Sequence, residues 1–343
     1  MSKSKIQWTD ETWNPVTGCT KVSAGCKNCY AEWLAPRVFA GQRTQLLPTV
    51  DGNESSRPRR FTDVRCHEDR LDKPLHWRKP RRVFVNSMSD LFHEAVPDAF
   101  IDRVFAVMAQ APWHVFQILT KRPERFASWF PGSHLRMTRQ CRNFVDYTEP
   151  VGVWPLPNVH LGVSVEDQAT ADERIPLLLD TPAAVRFVSA EPLLEAVDLR
   201  HVHTDTVEVD TLTGDHGVIR PHQGRSSHRL DQVIVGGESG PKARPCDVAW
   251  IRSIVEQCKA AGTAVFVKQL GAHVRDRNDA GFSGDPGDDW DINAVFDVEP
   301  DPSDTGYQGA PARIRLRDPK GGDMVEWPED LRVREMPSAE KKR

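Results

Sequence analysis

The sequence predicts an α/β fold with parallel strands, a partial or full (β/α) barrel of the TIM type carrying irregular insertions. Two observations and one general rule predict it. Short, continuously apolar runs alternate with helical patterns over residues 12–270, and a strand that is apolar on both faces needs helices covering both. Right-handed crossovers between such strands curl the series toward a barrel. Polar clusters close nearly every apolar run, at the strand ends where this architecture keeps its chemistry.

In chain order, residues 12–17 form the first strand and lead into a loop holding Cys19, Cys26 and Cys29, after which 30–39 reads as a helix. Residues 40–60, rich in Gly, Pro, Arg and Ser, have no period and predict an excursion over the surface. VFVNSMSDLFH at 83–93 is a buried strand ending in polar residues, and 97–110 places Phe100, Val104, Phe105, Val107 and Met108 on one helical stripe. VFQILTKRP at 115–123 is the next strand, followed by a short helix over 124–130. HLGVSVED at 160–167, a helix at 172–179, AVRFVSAEPLL at 184–194, DQVIVGGESG at 231–240, a helix at 248–261 and TAVFVKQLG at 263–271 complete six or seven strand–helix units.

The barrel is expected to span 1–270, with insertions at about 40–80, 131–158 and 196–230, and 271–343 to form an extension packing on it. Tyr147, Pro150, Pro155 and Pro157 mark the second insertion, and His201, His203, His216, His222 and His228 the third, without regular metal-ligand spacing.

Composition narrows the function classes. With 39% hydrophobic and 27% charged residues the chain reads as ordinary globular protein, and no apolar run approaches the ~20 residues of a membrane helix. MSKSKIQWTD lacks an apolar signal core, so a cytoplasmic location is expected. The net charge of −4 hides an asymmetry: residues 56–82 carry ten Lys or Arg against four acids, whereas 276–304 carry ten acids and one Arg. The basic stretch is a candidate phosphate or nucleic-acid footprint, to be weighed against an ordinary solvated face. GGESG lacks both the Walker lysine and G-x-G-x-x-G spacing, so no nucleoside triphosphate or NAD site is read from it.

The chemistry concentrates in TWNPVTGCTKVSAGCKNCY at 12–30. Three thiols within eleven residues, in a chain without a secretion signal, are metal ligands before they are disulfide partners. Their number matters. A structural zinc ion closes its tetrahedron with four protein ligands, whereas a [4Fe-4S] cluster held by three thiolates keeps one iron open. Cys66, Cys141, Cys246 and Cys258 are read as small buried apolar residues. A fourth ligand from Cys66-His67 would close a zinc site instead, and this is the main structural alternative.

The C-x6-C-x2-C spacing with its flanking TWNPVTGC and CY resembles a variant of the radical S-adenosylmethionine (SAM) superfamily, and more closely a phage-associated family of unknown function within it. LTKRP at 119–123, LGVSVED at 161–167, SAEPLL at 189–194 and GGESGPKARP at 236–245 carry the same resemblance, in the same order. The superfamily's usual motif is C-x3-C-x2-C with an aromatic before the third cysteine; here Asn28 holds that place and Tyr30 follows.

The resemblance implies a [4Fe-4S] cluster on Cys19, Cys26 and Cys29, SAM on the open iron, reductive cleavage of SAM, and hydrogen-atom abstraction by the resulting radical. It also implies an external one-electron donor of the flavodoxin or ferredoxin type. By strand order, SAM's ammonium is expected near Asn86, Ser87 and Asp90, its ribose near Ser164 and Glu166, and its adenine against the backbone of Gly236 and Gly237, with Tyr30 beside the cluster loop. Lys121, Arg122, Glu191, Glu238 and Lys268 are then the candidate catalytic groups for an anionic or zwitterionic substrate, with a nucleic acid or nucleotide substrate suggested by the phage resemblance. The alternatives are a zinc-stabilised nucleic-acid-binding module and a non-catalytic barrel acting as a partner protein.

Overall fold

The computed structural model describes residues 4, 6–45, 56–133, 135–137, 154–204, 208–215, 228–276, 297–299 and 312–337. Cys141, Tyr147, Pro150, His216, His222 and most of the acidic stretch 276–304 lie outside the described residues.

Seven strands form one parallel sheet: β1 (Glu11–Trp13), β2 (Arg82–Val85), β3 (Val115–Thr120), β4 (Val159–Val165), β5 (Val185–Ala190), β6 (Gln232–Gly236) and β7 (Ala264–Gln269). Their order in the sheet is their order in the chain. That sequential order is what repeated right-handed β-helix-β crossovers produce. β1 and β7 stand at the two ends of the order. The fold is thus a partial α/β barrel. The observed strands are shorter than the apolar runs suggested, because each run's polar tail leaves the ladder: β2 stops at Val85 and Asn86 turns away with φ 63°, a left-handed conformation that Asn tolerates better than most residues.

Among the helices of the described residues, α1 (Tyr30–Val38), α2 (Asp98–Gln110), α3 (Pro123–Trp129), α4 (Gln168–Asp180) and α5 (Val248–Ala261) follow the strands as their periodicity predicts. α3 starts on Pro123, whose missing N–H costs nothing in a first turn. α5 shows how local sequence sets both ends. Asp247 caps it by accepting from the Ala249 N–H at 2.9 Å, and Gly262 ends it at φ 66°.

The chain divides into two compact units. The first comprises Met1–Gly162 with Thr181–Ala184, the second Val163–Asp180 with Val185–Arg343. The first is built on β1–β3, whose helices bury an aromatic cluster: Phe92 lies 4.8 Å from Phe126 and Phe105 lies 4.6 Å from Trp129, ring centre to ring centre. The second is built on β5–β7, with Phe187, Val188, Ile234 and Val265 fully buried. There the C-terminal segment adds to the edge of β7: Val267 N–H donates to Val333 O and Glu335 N–H to Val265 O, both at 2.9 Å.

The first insertion is more ordered than its composition suggested. Arg43–Gln45 pairs antiparallel with Ser56–Pro58, and Arg65–Cys66 with Val16–Thr17, just ahead of the cysteine loop. No helix among the described residues is long and apolar enough to cross a membrane.

Candidate metal centre

The cysteine loop leaves its strand through Gly18, and the backbone there accepts no other residue. Its φ is +91°, and a Cβ would stand 2.7 Å from the carbonyl oxygens of both Phe61 and Asp63. Cys19 N–H donates to Phe61 O at 3.0 Å and Gly18 N–H to Met88 O at 3.0 Å, so the loop is stitched to the first insertion and to the loop after β2. Two asparagines complete the stitching. Asn14 Oδ1 accepts from Met88 N–H at 3.0 Å and Ser87 Oγ at 3.2 Å, and Asn86 Oδ1 accepts from Val16 N–H at 3.2 Å. Tyr30, half-exposed at the start of α1, donates its hydroxyl proton to Ser87 O.

The basic insertion braces this loop. Arg59 lies 93% buried, stacked 3.8 Å over the Phe39 ring, and donates to Thr17 O at 2.9 Å and Thr17 Oγ1 at 2.8 Å. Burial lowers its pKa to about 10, and it stays charged at neutral pH. Asp63 takes Arg57 in a two-toothed pair at 2.6 Å, Arg81 reaches Glu11 at 2.8 Å, and Arg82 pairs with Asp10 at 3.4 Å. Arg60, Lys73, Arg78 and Lys79 are the exposed cations of the stretch. Sequence reasoning missed this bracing role, since the spacing of charges says nothing of which carboxylates they meet.

All three loop thiols are partly exposed. Burial and the nearby Asp90 carboxylate push the Cys19 thiol up to about 11, while Arg122 pulls the other way. At Cys26, burial is outweighed by backbone hydrogen bonds from Val22 and Ser23 and by the Lys121 charge, and the thiol lies below its ordinary value. Cys29 stands at the N-cap position of α1, directly before Tyr30.

Behind Cys19 stands a buried polar network. Arg122 donates Nη1–H to Asp90 Oδ2 at 3.3 Å and to the Cys19 sulfur at 3.6 Å. Its Nη2 reaches Thr20 O at 3.1 Å and Thr20 Oγ1 at 3.0 Å, and its Nε reaches Glu94 Oε2 at 3.2 Å. Asp90 is locked in turn: Thr120 Oγ1 donates to it at 2.9 Å, Phe92 N–H at 2.9 Å and Lys121 N–H at 3.1 Å. His93 Nε2 lies 2.9 Å from Thr20 Oγ1, and burial together with the Arg122 charge lowers its pKa. Of the residues expected at this site, the structure therefore brings Cys19, Tyr30, Ser87, Asp90 and Arg122 into one connected set, with Asn86 binding the strand that leads to it.

The second unit holds the other expected residues, and each charged one has a partner. Glu166 is fully buried and takes Arg174 at 3.2 Å, and Ser164 O accepts from the same guanidinium at 2.7 Å. Glu191 meets Lys268 at 2.9 Å, and Glu238 accepts from Arg244 Nη2 at 2.8 Å and Nε at 2.9 Å. Packing within the unit already demands glycine at 236 and 237: a Cβ on Gly237 would stand 2.2 Å from Leu270 O, and one on Gly236 2.9 Å from Gln269 O.

Among the described residues, no three His, Cys, Asp or Glu side chains are gathered closely enough to hold one metal ion. His67 turns its ring to Thr17 Oγ1 at 2.7 Å, and Cys66 sits in the short strand against Val16. A four-iron cube makes a different demand, since each thiolate takes its own iron and the ligands stand one to a corner. The three loop thiols fit that donor set. Cys19 feels the Cys26 charge, and Lys21 feels Cys29 and Cys26.

A family model described as "Protein of unknown function (DUF5131)" matches residues 3–323. The chain belongs to this family. The match takes in the cysteine loop, both units' charged sites and all seven sheet strands. No curated protein and no solved structure matches the chain.

Proposed function

We propose that this DUF5131 protein is a radical SAM enzyme whose [4Fe-4S] cluster is held by Cys19, Cys26 and Cys29. The observation that carries the reading is the build of the loop: three partly exposed thiols between a strand end and a helix N-terminus, with a buried arginine donating to one sulfur. When bound, such a cluster supplies the electron for reductive cleavage of SAM on its open iron, and that electron comes from a soluble one-electron donor. The chain's residues do the rest. Gly18 and the two asparagines fix the loop's path, the first insertion shields it from behind, and Asp90 holds Arg122 against Cys19.

The substrate class in this proposal is anionic or zwitterionic, a nucleotide or nucleic acid included. Lys268 and Glu191 form a partly exposed pair that offers both charges, which favours a zwitterion over a simple anion. The basic stretch argues less for a polymer than its sequence suggested, because Arg57, Arg59, Arg81 and Arg82 are spent on intramolecular partners.

Anaerobic reconstitution tests the reading. A brown protein with about four irons per chain, forming 5′-deoxyadenosine from SAM with dithionite, is expected, and any one of Cys19→Ala, Cys26→Ala or Cys29→Ala should abolish both. A colourless protein holding one zinc would replace it with the zinc-module reading, and a loaded cluster that never cleaves SAM would leave a non-catalytic iron–sulfur protein.

A further inference from the structure

We infer that Arg122 is a positioning residue for the cluster: its guanidinium donates an N–H to the sulfur of Cys19, and its fixed positive charge makes the bound cluster easier to reduce. This rests on the cluster reading above.

The geometry is specific to this arginine. Only 5% of Arg122 is exposed, and its fork is bound on every side, to Asp90, Glu94, Thr20 and the Cys19 sulfur. A planar guanidinium presents five donors in a rigid array, so anchoring four directions fixes the fifth. The 3.6 Å contact is the length expected of a donor to a large sulfur atom. Thr20, the residue after Cys19, is held by the same guanidinium through both its carbonyl and its hydroxyl, so Arg122 fixes the ligand's backbone as well as its sulfur.

Charge decides the direction of the effect. Reduction places one more negative charge on a cluster that already carries three thiolates, and no proton is taken up. A buried cation at hydrogen-bonding distance stabilises that extra charge more than a solvated one would. Net charge, hydrogen bonds to sulfur and solvent exposure are the levers that set such potentials. Asp90 opposes the effect in part. Its charge, however, is shared among Thr120, Phe92 N–H and Lys121 N–H as well as Arg122.

The test is a redox titration of the reconstituted full-length protein with dithionite, followed by electron paramagnetic resonance, for wild type, Arg122→Gln and Arg122→Lys. Iron content should stay near the wild-type level. At a fixed poise the ratio of reduced to oxidised cluster should fall about tenfold in R122Q, equivalent to about 59 mV for a one-electron couple. R122K, which keeps the charge and loses the fork, should fall between them. A merely structural prop would leave the potential where it was, so an unchanged R122Q midpoint with full iron overturns the inference. If R122Q holds no iron, the equally neutral Arg122→Met decides: a lowered midpoint supports the inference and an unchanged one overturns it. Wild-type protein that takes up no iron overturns the cluster reading itself, and this inference with it.

Discussion

The two units treat buried charge in different ways. In the second, each of three acids meets a cation: Glu166 meets Arg174, Glu191 meets Lys268 and Glu238 meets Arg244. In the first, Asp90 and Arg122 belong to a branched network that ends on a sulfur and on the backbone of a reactive loop. The fully buried Glu166–Arg174 pair ties the end of β4 to α4 and so serves the fold. A branched network that terminates on a thiol couples folding to whatever the thiol binds.

Stability measurements should expose that difference most strongly. Asp90→Ala strips Arg122, Thr120, Phe92 N–H and Lys121 N–H of one shared acceptor, and should cost about 3–5 kcal/mol in urea unfolding. Replacing both partners separates the units further. Glu166→Leu with Arg174→Met should recover most of what either single change loses, because a buried pair swapped for apolar groups is often near neutral. Asp90→Leu with Arg122→Met should recover little, since three donors stay orphaned. Equal recovery in the two double variants would erase the distinction.

Acid titration gives the next largest effect. Burial and the charges of Arg70 and Arg59 lower the His67 pKa from 6.5 to about 4, so the ring stays neutral in the fold where the unfolded chain would take up a proton. Its contribution is full above pH 6.5 and is lost as pH falls from 6.5 to about 4, by about 2–3 kcal/mol. Unfolding of His67→Gln followed across that window should lack this slope; a variant that keeps the wild-type slope would exonerate His67.

Thiol labelling compares the units directly. Native apo protein should react at Cys26 at least about tenfold faster than at Cys258, whose pKa burial pushes up to about 12, or at Cys246, pushed higher still by burial and Asp247. Peptide mapping after brief alkylation reads this out, and equal labelling of Cys26 and Cys258 would contradict it.

The smallest effect has the opposite sign to that of His67. Asp198 raises the His201 pKa by hydrogen bonding, so its contribution is present below 6.5 and fades as pH rises through the folded value. His201 is well exposed, and His201→Gln should change the unfolding midpoint only slightly, with any loss confined to the acid side.

The site was legible where its signal is local. Spacing alone singles out Cys19, Cys26 and Cys29, and the apolar runs place the starts of the strands to within a few residues, though not their ends. Asp90 and Arg122 stand out in the sequence as polar residues at strand ends, but their protein partners do not: Arg122 meets Cys19 across 103 positions, a distance no pattern encodes. The bracing by Arg59 and His67 was hidden for the same reason, inside a stretch whose composition reads as loop. Thr20, His93 and Glu94 carried no signal beyond lying next to residues that did.

What the sequence determined by itself was the parallel α/β class and the three-thiol loop, because hydrophobic period and residue spacing are short-range properties of the chain. Which carboxylate neutralises which cation was decided only by tertiary structure. Burial makes an unmatched charge so costly that its partner has to be found wherever the fold delivers one, and that partner is seldom a neighbour in sequence.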